Sequence, residues 1–145
     1  RSVKGTDRIV SAVEDLSREI PVELVLIENM PHAEALRVKA TCSIAVDQIA
    51  DGDMGYGVNS LESLSMGIAT VTNLSEAYRA FIPDHPFVLA TPETLLGVLR
   101  ELVLDGDLRE QHASAGPPWI RKRHHWLTVA RQYHELYREL GWERR

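Results

Sequence analysis

Four short aliphatic runs dominate this chain: VELVLIE at Val22–Glu28, CSIAVD at Cys42–Asp47, ATVT at Ala69–Thr72 and FVLA at Phe87–Ala90. VELVLIE, CSIAVD and FVLA are apolar along most of their length instead of alternating, the pattern of a strand covered on both faces, and ATVT follows directly on Ile68 as a short β-branched run. The stretches between them carry helical spacing. Ile9, Val10, Val13, Leu16 and Ile20 recur every three or four residues after Thr6, a good N-cap, and Pro21 ends that segment. Residues from Pro31 to Ala40 give a second helix with Ala35 and Leu36 inward, and Val58–Met66 a third. Thr91 caps another, with Pro92 and Glu93 in its first turn and Leu95, Leu96, Val98, Leu99 and Leu102 following. A short helix around Asp107–Ser114 and a long one over His125–Leu140 complete the series. Strands alternating with helices predict an α/β fold: a Rossmann-like doubly wound parallel sheet with flanking helices.

In such a sheet ligands bind at the carboxyl ends of strands, here the loops after Glu28, Asp47 and Thr72. The loop from Gln48 to Gly57 is the richest of them. Gly52, Gly55 and Gly57 allow close approach to the backbone, and the helix that follows aims its unsatisfied N–H groups at the loop. An anionic or phosphorylated ligand suits that arrangement, although the spacing matches no phosphate-binding fingerprint and also reads as plain loop punctuation. Glu62 lies about one turn into the helix between Leu61 and Leu64, where a carboxylate needs a partner, either a pair of sugar hydroxyls or a neighbouring base.

With 145 residues, 44% of them hydrophobic and 26% charged, the chain has the size and balance of one globular domain. It has no run of about 20 apolar residues and no leader-like start, which sets the expectation of a soluble, cytoplasmic protein. A net charge of −5 offers no electrostatic footprint for nucleic acid, and the single Cys42 has no disulfide partner within the chain. The charge is uneven. Residues 120–145 carry seven Lys and Arg against three Glu, a net +4 on a remainder of −9. The six histidines, including the His124–His125 pair, show no zinc-ligand spacing, so no metal is expected. Trp126, Val129, Tyr133, Leu136, Tyr137 and Leu140 recur at helical spacing, as a core-facing stripe should.

Four stretches in order, RSVKGTDRIVSAVEDL, VELVLIENMPHAEALRVKATCSIAVDQI, GYGVNSLESLSMGIATVT and HHWLTVARQYHELYREL, resemble the C-terminal, donor-binding domain of group 1 (family 4-like) retaining glycosyltransferases of the two-domain GT-B fold. The resemblance covers nearly the whole chain. It implies a hexosyltransferase, retaining and metal-independent, whose substrate is a nucleotide-diphospho-sugar and which needs no cofactor. By resemblance Lys4 and Arg1 lie on the donor diphosphate, Glu62 accepts from the ribose hydroxyls, Gly55, Tyr56, Gly57 and Val58 contact sugar and phosphates, and Asn29 and Met30 edge the nucleobase. It further implies that residues 1–145 are one domain, the half without the acceptor-binding N-terminal domain and without the family's first strand. Such a half binds donor but transfers nothing by itself, and the parent enzyme has a saccharide or lipid acceptor, with peripheral membrane association among its partners. The terminal helix often crosses to the other domain in this family, which makes Trp126 and Tyr133 candidate interdomain contacts with a partly exposed apolar face as their sign. One departure stands out: Met54 occupies the place of the first glutamate of the family's E-x7-E signature, and thioether cannot make a carboxylate's contact, though Asp51 and Asp53 are close in sequence. That departure supports the alternative, a non-catalytic Rossmann-like module that binds a nucleotide or a partner.

Overall fold

The computed structural model describes residues 4–50, 52 and 55–142, so Arg1, Asp51, Asp53 and Met54 lie outside the described residues. The elements are α1 (Thr6–Ser17), α2 (His32–Lys39), β1 (Ile44–Val46), α3 (Val58–Ser65), β2 (Ala69–Thr72), α4 (Glu76–Phe81), β3 (Val88–Leu89), α5 (Leu95–Leu104), α6 (Gly106–His124) and α7 (Trp126–Glu139). The strands form a small open parallel sheet in the order β1-β2-β3, with Ile44 opposite Ala69 and Val71 opposite Val88. The chain is thus a mixed α/β structure. The strand order runs without reversal.

Side chains alternate across the sheet as strand geometry requires. Ile44, Val46, Val71 and Val88 join Leu16 of α1 and Leu95, Leu99 and Leu102 of α5 in one cluster. Leu89 and Phe87 join Leu64 of α3, Leu74, Ile82 and Trp119 of α6 in a second. β2 is buried throughout. Its threonines stay satisfied through their hydroxyls, Thr70 Oγ1 to the Ile68 carbonyl at 2.8 Å and Thr72 Oγ1 to that of Gln48 at 3.5 Å.

Several sequence expectations are corrected. VELVLIE forms no strand: its residues take no regular secondary structure, and Leu24, Val25 and Leu26 are 39%, 38% and 46% exposed. Composition alone cannot make a strand, because the ladder needs a neighbour, and no described strand pairs with this segment. α1 starts on Gly5, at φ 71°, not on a Thr6 cap; a Cβ there would collide with the Ile49 carbonyl. The helix expected from Thr91 begins at Leu95, after a turn in which the Thr91 N–H donates to Thr94 Oγ1 at 2.8 Å. α6 is one continuous helix through Pro117 and Pro118, not a short helix ending at Ser114. Gly116 explains how it is held there, since its missing side chain lets α6 press on the Leu64 backbone of α3, where a Cβ would stand 2.5 Å from the carbonyl oxygen. α4, which the sequence reading passed over, starts on Ser75, whose side chain accepts from the Tyr78 N–H at 3.4 Å. Finally, the α7 stripe does not seal the core: no residue of α7 is buried, and Trp126 is 70% exposed. Tyr133, Leu136 and Tyr137 on the same helix and Leu140 at its C-cap are 45% to 55% exposed.

Candidate functional site

A groove of about 900 Å3 runs between the Val22–Glu28 segment and β1, with Ile9, Val13 and Leu16 of α1 and Leu99 and Val103 of α5 on its apolar wall. Its polar mouth lies at the C-terminal end of β1, where Lys4, His32, Lys39, Asp47, Asn59 and Glu62 converge. Asp47 follows the last residue of β1 and is buried, its side chain only 2% exposed. Two donors satisfy it: Ser60 Oγ reaches Oδ2 at 2.6 Å and Lys4 Nζ reaches Oδ1 at 3.3 Å. Gly57 caps α3 with no side-chain hydrogen bond, and a Cβ on it would stand 3.2 Å from Asp47 Oδ2. The carboxylate therefore sits close to the positive end of the helix.

The second half of the mouth joins α2 to α3. His32 and Lys39 are seven residues apart on α2, two turns along one face, and both reach Glu62. Lys39 Nζ donates to Glu62 Oε2 at 2.6 Å and to Asn59 Oδ1 at 2.6 Å; His32 Nε2 meets Glu62 Oε1 at 2.7 Å. Burial raises the Glu62 carboxyl, but the hydrogen bonds and charges of Lys39 and His32 outweigh it and hold it below the ordinary carboxylate value. Each oxygen of Glu62 thus has one donor, Lys39 on Oε2 in the interior and His32 on Oε1 at the surface.

The loop between β1 and α3 is pinned from both sides. Gln48 Nε2 donates to the Gly55 carbonyl, Asn73 Nδ2 to the Ala50 carbonyl at 2.9 Å, and Asn73 N to the Gln48 carbonyl at 2.9 Å. Of the residues singled out from sequence, Lys4 and Glu62 line the groove and Gly57 adjoins Asp47. Val58 opens α3 and is 71% exposed. Gly55 backs onto the Tyr78 ring. Asn29, at φ 53°, and Met30 form the bend before α2, apart from the groove lining. The Tyr56 ring turns into the second core cluster, 5.3 Å from Phe87 and 5.9 Å from Trp119 between centroids, and its hydroxyl meets His124 Nε2 at 3.3 Å.

Sequence reasoning missed Lys39 and His32. A signal for Lys39 was present: it falls three and four residues after Leu36 and Ala35, on the inward face of α2, where a lysine needs a buried acceptor. Among the described residues no group of His, Cys, Asp and Glu has metal-site geometry, and no helix is long and apolar enough to cross a membrane. A shallower depression of about 550 Å3 at the junction of α5 and α6 is lined by Glu101, Asp105 and Asp107. Compared with protein-family models, curated proteins and solved structures, the chain matches none.

Proposed function

We propose that this chain is the donor-binding half of a retaining hexosyltransferase, and that the groove mouth takes the nucleoside diphosphate of a nucleotide-sugar. The observation that carries the reading is the convergence of Lys4, Asp47, the α3 N-terminus and Glu62, from three separate stretches of sequence, at the C-terminal end of a parallel strand. The four-part resemblance assigns Lys4 and Glu62 to that same ligand. Lys4, 53% exposed, supplies the cation and the α3 N–H groups the dipole for a leaving diphosphate, with no metal required. Glu62, ionised and aimed by α2, accepts from vicinal ribose hydroxyls.

The same reading accounts for the groove. The Ile49 N–H already donates to the Lys4 carbonyl at 2.9 Å on the side of β1 away from β2, and Val22–Glu28 lines the groove beyond. A parallel strand joined ahead of Lys4 would fill the gap, with α1 as a right-handed crossover to Val22–Glu28. The sheet would then be Rossmann-like, and its strand order would reverse beside the polar mouth. Met54 in the place of the first signature glutamate favours a second reading, a nucleotide-binding module without transfer activity.

Calorimetric titration with UDP, GDP and ADP tests the proposal. At least one should bind saturably, and Glu62→Gln, which keeps an acceptor for Lys39 while removing the charge, should weaken that nucleotide about tenfold or more. Absence of binding by all three, or equal binding by the variant, removes the assignment.

A further inference from the structure

Lys39 is the least expected side chain at the groove mouth. It is a lysine with 8% of its side chain exposed, in the last turn of α2, and Nζ has three acceptors within 3.5 Å, all on α3: Glu62 Oε2, Asn59 Oδ1 and the Asn59 carbonyl. An ammonium has three protons. With all three directed at α3, Lys39 has none left for a ligand, so it can act on one only through Glu62. A cation this buried is tolerated only beside a compensating charge, which makes the contact a fixed one. His32 differs in every respect. Its side chain is 71% exposed, and it holds the other oxygen of Glu62 through a single contact at the surface.

We infer that Lys39 is a positioning residue that keeps the Glu62 carboxylate ionised and aimed into the groove, whereas His32 is the exchangeable partner that an incoming hydroxyl pair displaces. The part given to His32 rests on the diol-binding reading above; the part given to Lys39 does not. Among the described residues the charged groups on Glu62 are these two, both from α2, and Asn59 is the neutral neighbour on α3.

The test follows the Glu62 side-chain carboxyl by 13C NMR across an acid titration of the unliganded chain. Lys39→Met should raise the proton affinity of Glu62 about tenfold, and Lys39→Arg should leave it near the parent value. Lys39→Gln, uncharged and still a donor, serves if the methionine variant does not fold. A Glu62 titration that neither uncharged variant moves, or that Arg disturbs as much as Met, overturns the assignment of Lys39; a packing role alone would change the melting temperature and not this midpoint. Parallel titration with UDP, GDP and ADP separates the two layers. His32→Asn should bind the accepted nucleotide as tightly as the parent or more so, and weaker binding overturns the displacement. If Glu62 titrates as described but no nucleotide binds, the diol reading and with it the role of His32 fall, and the role of Lys39 stands.

Discussion

Two histidines illustrate how burial sets chemistry residue by residue. His124 lies against the Trp119 ring, 5.1 Å between centroids, and the Tyr56 hydroxyl; burial, with the Arg123 cation adding to it, pushes the imidazole below its ordinary value. His85, beside Phe87, is pushed the same way by burial and by Arg79, against the pull of Asp84. In both cases the unfolded chain takes up protons before the folded one does, so stability falls as pH drops below about 6.5, the ordinary imidazole value. The melting temperature should therefore decline between pH 7 and pH 5, before the carboxylates titrate. His124→Gln should flatten part of that decline; an unchanged slope in the variant would contradict the account. Asp84 behaves oppositely. Hydrogen bonds from Lys122 and Arg123 hold its carboxyl far below the usual range, so its contribution is present at neutral pH and is lost only in strong acid.

At the level of elements, what was legible in the sequence depended on whether an element is specified by its own residues or by its neighbours. ATVT became a strand with the expected limits because it is the central strand, paired on both sides. VELVLIE carries a stronger β composition yet stays unpaired, since that composition describes a site in a sheet and not a local preference. The α7 stripe misled for a related reason: periodicity reveals an amphipathic helix but not what covers its face. Lys39 was legible only in part: its place on the inward face with Ala35 and Leu36 marks it as needing an acceptor, but the acceptor itself, Glu62, is set by the opposing helix. β1 itself remains an edge. Its Asp47 N–H points to the Val71 carbonyl at 3.1 Å, so strand alternation turns the N–H groups of Ile44 and Val46 outward. In this chain those two amides should exchange with deuterium faster than the Val71 amide. Equal protection would mean that the groove is not open along β1.

In the molecule as a whole, the apolar part of the groove lies between β1 and the Val22–Glu28 segment and its polar mouth at one end, where three separate sequence stretches meet. Pairing of the site's own charges is part of that design: Lys4 with Asp47, and Lys39 and His32 with Glu62, keep the mouth ordered before any ligand arrives. The exposed aromatic face of α7 and the acidic depression between α5 and α6, lined by Glu101, Asp105 and Asp107, give no reason to expect nucleotide there. Amide chemical-shift mapping of the isotopically labelled chain during titration with UDP, GDP and ADP separates these regions in one measurement. Shifts that saturate and centre on Lys4, Gly57, Asn59 and Glu62 are the predicted result. Saturating shifts centred on α7 or on the α5–α6 junction, or none at millimolar nucleotide, would contradict the assignment of this groove as a donor site.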